Sequence, residues 1–249
     1  MLTNKQIKLI NSLHTKKGRK ESNLFLVEGE KGIDELLSSN FSVKLIVLNE
    51  SLANIPEVPA DTEIYLLPEA EVSKLSSLTS NSYGFAIVEA KFYEEQEFFF
   101  HDQMSVVLDG VRDPGNLGTI IRICDWYGIT QLILSEDCTE YYNPKVISAS
   151  MGSFHRIKFL YTDLPQLFTS HPKTKVIGAT LQGQSIYSYP FPTNGFILMG
   201  NESSGIRDNI LTFISDQVTI PRIGEAESLN VAISTGIILD NFRRAHFPF

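Results

Sequence analysis

Three stretches of the chain combine residue types that can do chemistry with a spacing that brings them to similar places. They are "LDGVRDPGNLGTIIR" (108–122), "LMGNESSGI" (198–206) and "IPRIGEAESLNVA" (220–232). Each begins on a short apolar run that reads as a strand, and ligands of parallel α/β sheets bind outside the carboxyl ends of strands. The first stretch carries Asn116 and, six residues on, Arg122 within "TIIRICDW". An arginine flanked by isoleucines is costly to bury without an anionic partner. Asp125 or Asp109 could supply an ion pair; the other reading aims the guanidinium at a phosphate or at a hydroxyl to be deprotonated. In the second stretch Gly200 ends an apolar strand, with Glu202 just beyond. A glycine there serves either a tight turn or the close approach of a flat ligand. In the third, Ser228 is placed to cap a helix over 229–242. Asn230 is a poor helix former set between the core-type residues Leu229 and Val231. One such loop says little, whereas three at one sheet edge point to a site.

The elements that must position these loops alternate along the chain. Residues 5–16 have helical periodicity, "KKGRKESN" reads as a polar break, and "LFLVEG", "VKLIVLN", "TEIYLLP" and "YGFAIVEAK" read as strands, with helices "EKGIDELLSSN" and "EAEVSKLSSL" between them. The acidic tract "FYEEQEFFFHDQ" interrupts this rhythm. The alternation then resumes with strands "SVVLDG", "QLILSED", "HRIKFLY", "TKVIGAT", "GFILMG" and "DQVTI" and helices "NLGTIIRICDWYGI" and "PKVISASMGSF". The pattern predicts two α/β domains, 1–92 and 104–249, joined by a linker at 93–103.

Composition sets outer bounds. The 249 residues are 43% hydrophobic and 20% charged, ordinary for a globular protein. No run approaches the roughly 18 apolar residues of a membrane span, and the first residues contain no signal-peptide core. Cys124 and Cys138 fit no metal-ligand spacing and make a poor disulfide framework. No metal and no membrane partner are therefore expected, and a reduced, cytoplasmic setting is. The net charge of −8 conceals a basic first segment: Lys5, Lys8, Lys16, Lys17, Arg19 and Lys20 with no acid among residues 1–20. Such a segment either meets phosphates or is a solvated helix face.

The first loop also invites comparison with the dinucleotide fingerprint, since Gly110, Gly115 and Gly118 follow a strand and open a helix. The spacing is wrong, and Pro114 removes a donor where backbone amides should face a pyrophosphate. A dinucleotide-dependent oxidoreductase is thereby a weak alternative.

"DPGNLGTIIR", "GNESSGI" and "IPRIGEAESLNVAISTGI" together resemble, in order and spacing, the three motifs of the SpoU (TrmH-like) class of SPOUT RNA methyltransferases, and "NPKVISASMGSFHRI" resembles the stretch between the first two. The first part of the chain, notably "IKLINSLHTKKGRKESNLFLVEG", resembles the small ribosomal-protein-like α/β domain that binds substrate RNA in that class. The resemblance implies a SPOUT-type domain with a mostly parallel sheet and a deep trefoil knot, a rare exception to unknotted topology. It implies transfer of a methyl group from S-adenosyl-L-methionine to a ribose 2′-hydroxyl of RNA, ribosomal before transfer, by a homodimer. The family's catalytic positions fall on Asn116, Arg122, Glu202, Ser228 and Asn230, and its cofactor contacts near Gly200, Ile220 and Leu229. Lys16, Lys17, Arg19 and Lys20 would then meet RNA. A ribose hydroxyl is a poor nucleophile until its proton is removed or its alkoxide stabilised. Arg122 would be the base or activator, acting with an RNA phosphate because a free arginine is almost never deprotonated. A catalytically inactive RNA-binding module of the same fold is the alternative within this resemblance. Two departures stand out: Arg222, where the family often has methionine, and "ESSG" in the second motif.

Overall fold

The computed structural model describes residues 1–78 and 80–247. Its helices and strands run in the order α1 (Asn4–Leu13), α2 (Lys16–Ser22), β1 (Leu24–Glu28), α3 (Glu30–Leu37), β2 (Val43–Asn49), β3 (Glu63–Leu67), α4 (Glu69–Leu75) and β4 (Gly84–Glu89). They continue with β5 (Met104–Leu108), α5 (Pro114–Trp126), β6 (Gln131–Ser135), α6 (Pro144–Ala149), β7 (Lys158–Thr162) and α7 (Leu164–Ser170). The last are β8 (Val176–Ser185), β9 (Gly195–Met199), α8 (Asp208–Leu211), β10 (Asp216–Thr219) and α9 (Val231–His246). The chain divides into two compact units, Met1–Lys91 with Glu140–His155, and Phe92–Thr139 with Arg156–Phe249.

The first unit is a four-stranded mixed sheet in the order β1-β4-β2-β3. Only the β2–β3 pair is parallel. One face packs on α1 and α4 through Ile10, Leu13, Leu45, Val47, Val72 and Phe85. Thr3 and Gln6 start α1 with a capping box, the reciprocal arrangement that satisfies two orphan amides. The segment "KKGRKESN", expected as a polar break, is helical instead. Thr15 caps it by accepting from the Gly18 amide at 3.1 Å. Its buried face is only Gly18 and Arg19, which gives no apolar period to read. A Cβ on Gly18 would lie 2.1 Å from the Ser12 carbonyl oxygen, so this turn of chain needs glycine.

Residues 140–155 belong to this same unit, whereas the sequence placed them in the 104–249 domain. Tyr141, Tyr142, Val146, Ile147 and Phe154 are buried, and the Tyr142 ring stacks on Phe25 with centroids 4.2 Å apart. Sequence order alone cannot reveal such an excursion, because each of its elements is ordinary. Of the expected second domain, 248 and 249 lie outside the described residues.

The second unit is a six-stranded sheet, β10-β8-β9-β5-β6-β7, and every recorded pairing in it is parallel. The central strands β9, β5 and β6 are buried along their whole length, as expected where both faces of a parallel sheet are covered. The tract expected as a linker helps form this core, since Phe98 and Phe100 pack with Val107, Phe168, Phe196 and Leu198. Helices α7 and α8 were not foreseen, being short turns of chain, with Asp163 capping the first by accepting from Gln166 at 2.9 Å. Because the strands are parallel, the ends of β5, β9 and β10 lie at one edge of the sheet. Successive crossovers from β5 run outward through β6 to β7, and β9 lies on the other side of β5. That reversal of strand order makes the crevice at which α/β sheets take ligands.

Candidate active site

All three loops emerge at this edge. Helix α5 starts with Asp113 as its cap, accepting from the Asn116 amide at 2.8 Å, and Pro114 takes the first helical position, where a missing N–H costs nothing. The α9 cap is Asn230, whose Oδ1 accepts from the amides of Ala232 at 2.9 Å and Ile233 at 3.3 Å. Ser228, the expected cap, is exposed and lies two residues outside it. Asparagine performs the same capping chemistry and also has a donor to spare.

That donor builds the site. Asn230 Nδ2 donates to Asn116 Oδ1 at 2.8 Å, and Asn116 Nδ2 donates to Glu202 Oε1 at 2.9 Å. The Asp113 amide approaches the same carboxylate oxygen at 3.4 Å. A continuous chain of hydrogen bonds therefore runs from the first amides of α9 through two side-chain amides to a carboxylate. Each amide has its orientation set by an obligate neighbour: backbone donors at one end, a carboxylate acceptor at the other.

Glu202 itself is held by its turn. Asn201 Oδ1 accepts from the amides of Ser203 and Ser204 at 2.9 and 3.1 Å, and Asn201 Nδ2 donates to the Gly110 carbonyl at 2.6 Å. Sequence reading missed Asn201; its place one residue past a strand-ending glycine is the signal that it could form such a side-chain turn. Gly200 is required by that turn, since a Cβ there would lie 2.3 Å from Gly205 C and 2.4 Å from the Ile206 amide nitrogen. The tight-turn reading of Gly200 thus accounts for the residue without a ligand.

A second network sits below the loops. Asp109, 1% exposed at the end of β5, accepts from the Arg207 amide at 2.9 Å and from Arg207 Nε at 2.6 Å. It ties the turn holding Glu202 to the loop that leads into α5. Asp137 lies 3.5 Å from Arg207 and 3.1 Å from Arg112. Burial pushes the Asp137 carboxyl up, but hydrogen bonds from Ser135 and Arg112 and the charge of Arg207 outweigh it and leave it below the ordinary carboxylate range. The hydrogen bond to Asp109 raises the Arg207 guanidinium further. Ser135 Oγ also accepts from the Gly110 amide at 2.8 Å. The amides that a dinucleotide phosphate would need in this loop are thus already engaged by Ser135, Asp113 and Glu202.

Arg122 stands apart from the Asn230–Asn116–Glu202 chain. It is exposed, on a helix face shared with exposed Thr119 and Trp126, and has no hydrogen bond or ion pair among the described residues. Neither expected partner is available. Asp109 holds Arg207, and Asp125 pairs with Arg156 at 2.9 Å. Trp126 is 84% exposed, and Leu229 and Ile233 are 49% and 56% exposed at the start of α9.

Beside Glu202 opens a cavity of about 740 Å³ whose lining includes Gly200, Ile220, Ser228 and Leu229. Its size is that of a small-molecule site, for which roughly 300–1,000 Å³ is usual. In the first unit Lys16, Lys17 and Lys20 are exposed, and among the described residues only Lys17 of the three has an ion pair, a loose one at 3.8 Å to Glu21. Arg19 corrects the expectation. It is 5% exposed, donates to both Glu140 oxygens at 2.9 and 2.6 Å and to the Leu13 carbonyl at 2.7 Å. A guanidinium so occupied has no face to offer a phosphate.

Comparison with known proteins matches most of the chain. Residues 103–240 match the SpoU rRNA Methylase family, and residues 4–84 match the MRM3-like substrate binding domain. The chain is 29% identical over 244 residues to the 23S rRNA (guanosine(2553)-2′-O)-methyltransferase RlmP of Bacillus subtilis, covering 96% of each chain. A putative RNA methyltransferase of the TrmH family from Porphyromonas gingivalis superposes with a TM-score of 0.88 at 34% identity, over 98% of this chain and 99% of that one. An AdoMet-bound rRNA methyltransferase from Sinorhizobium meliloti superposes with a TM-score of 0.86 at 27% identity, over 99% and 97%.

Proposed function

The chain belongs to the SpoU rRNA Methylase family, and we propose that it methylates a ribose 2′-hydroxyl of ribosomal RNA with S-adenosyl-L-methionine as donor. The observation that carries this reading is the Asn230–Asn116–Glu202 chain of hydrogen bonds at the rim of the cavity. A catalytically inactive module would have no use for a carboxylate and two amides locked in register from three separate loops.

The cavity fits the cofactor by its chemistry as well as its size. Ile220, Leu229 and Val231 offer apolar wall to a nucleobase, and Gly200, Ser228 and Glu202 offer polar groups beside it. S-adenosyl-L-methionine, when bound, supplies a methyl group already activated on a sulfonium, so the protein has no need to activate the donor. The work left for the protein is to orient the ribose and manage its proton. Asn116 and Glu202 are fixed to orient the sugar, with Asn230 as the residue that fixes them and Ser228 facing the same cavity. Arg122 keeps its full set of donors for a phosphate or for the developing alkoxide.

That Arg122 bonds to none of the others within one chain supports a homodimer in which two copies complete each site. The exposed Trp126, Leu229 and Ile233 supply apolar surface for such an interface. The family's knot belongs to this proposal, with the chain leading into α9 as the threaded segment. So do an RNA contact through Lys16, Lys17 and Lys20 and a cytoplasmic site of action. No helix among the described residues is long and apolar enough to cross a membrane.

The test is to map ribose methylation across total RNA from cells with and without the gene, and to restore the missing mark with purified protein, S-adenosyl-L-methionine and ribosomal RNA. An unchanged ribosomal RNA map would refute the assignment, and a lost mark on transfer RNA alone would move the substrate.

A further inference from the structure

The cavity is lined by three ionisable side chains: Glu202, Arg222 and Glu227. Glu202 is committed to Asn116, Asn201 and the Asp113 amide. Arg222 is the sole cation of the lining among the described residues. It is exposed and forms no ion pair among the described residues; its one hydrogen bond runs from Nη1 to the Ala226 carbonyl at 3.3 Å. That bond folds the side chain back along its own loop, which lines the cavity, and leaves most of the guanidinium's five donors unused.

These charges sort the ends of a ligand. A cavity wall with two carboxylates and one guanidinium repels an anionic group everywhere except at the guanidinium. S-adenosyl-L-methionine carries two positive groups, the sulfonium and the ammonium, and one negative group, the α-carboxylate. The positive groups suit the carboxylate-bearing wall, and the carboxylate has one cationic partner among the described lining residues. We infer that Arg222 is the residue that recognises the α-carboxylate of the cofactor, so that the loop 220–230 selects donors carrying an intact amino-acid end. The inference rests on the cofactor reading above and concerns a side chain that this reading does not use.

The experiment is calorimetric titration of the full-length protein with S-adenosyl-L-methionine and with its decarboxylated analogue. It compares the wild type with Arg222→Met, which keeps length without charge, and Arg222→Lys. A charge-assisted hydrogen bond in a solvent-accessible cavity predicts that the wild type prefers the carboxylated form roughly tenfold. Arg222→Met should lose the preference, its affinity for the carboxylated ligand falling to that for the decarboxylated one or below, and Arg222→Lys should recover part of it. Equal discrimination in Arg222→Met and wild type overturns the inference. A variant that binds both ligands as the wild type does but shows a raised KM for RNA also overturns it, by assigning Arg222 to the nucleic acid. Failure of the wild type to bind either ligand would instead refute the cofactor reading, a separate result.

Discussion

Asn230 donates its side-chain amide to Asn116 Oδ1 at 2.8 Å across 114 positions of sequence. The same Asn230 caps α9 through its other atom. One residue thus joins helix start and candidate active site, and its two roles can be separated. Asn230→Ser retains an oxygen able to cap and loses the amide Nδ2 that reaches Asn116, so its stability should stay near wild type while methyl transfer to ribosomal RNA falls. Asn230→Ala loses both and should cost about 1 kcal/mol of stability as well, the usual worth of a cap. Denaturant unfolding beside a methyl-transfer assay checks both. Equal activity in Asn230→Ser and wild type would remove the amide chain from the mechanism.

Arg122 offers the opposite case, a side chain with no structural duty. Exposed and unpaired among the described residues, it should be replaceable by alanine without a change in melting temperature, as is usual for surface positions. Arg122→Ala should nevertheless lose methyl transfer while its titration with S-adenosyl-L-methionine remains that of wild type. Retained transfer would remove Arg122 from the catalytic set.

The sequence carried the α/β alternation and the three loops because each has a local signature: an apolar run, then glycine, asparagine or proline. It could not carry Ser228 versus Asn230 as the cap of α9, since both are good capping residues two positions apart. What sets Asn230 apart is a side-chain amide that engages Asn116, far away in sequence. Arg19 was misread for a similar reason. It sits in a run of lysines that looks uniformly solvated, and nothing nearby signals that Glu140 would draw it inside. The excursion 140–155 and the Asp109–Arg207 clamp were equally invisible, because both are long-range pairings between segments that each look self-sufficient.

The basic segment divides accordingly. Lys16, Lys17 and Lys20 are exposed, so replacing the three by alanine should leave folding intact, weaken RNA binding and flatten its salt dependence, as loss of phosphate contacts does. Arg19→Met should do the reverse. Removing the guanidinium leaves Glu140 without its bidentate partner and the Leu13 carbonyl without a donor, so stability should fall by about 2–3 kcal/mol. Filter binding at several salt concentrations and denaturant melts distinguish the two classes. A triple lysine variant with an unchanged salt slope would shift the RNA contact away from α2.

Acid should loosen the loop leading into α5 through Asp137. Asp137 is held below the ordinary carboxylate range by Ser135, Arg112 and Arg207. A group whose pKa is lower folded than unfolded contributes stability above its unfolded value, about 4 for aspartate, and loses it as pH falls through the folded value. Protonation removes the charge facing Arg112 and Arg207 and weakens the hold on Ser135, whose Oγ receives the Gly110 amide at the start of the loop leading into α5. Wild type should therefore melt above Asp137→Asn at neutral pH. The gap should be steady down to about pH 5 and should close as the pH drops through about 4 and below. Since Asp137 is partly exposed, the gap should also shrink at high salt. Melting curves of the two proteins over this range decide it, and a gap that widened on acidification would reverse the assigned sign.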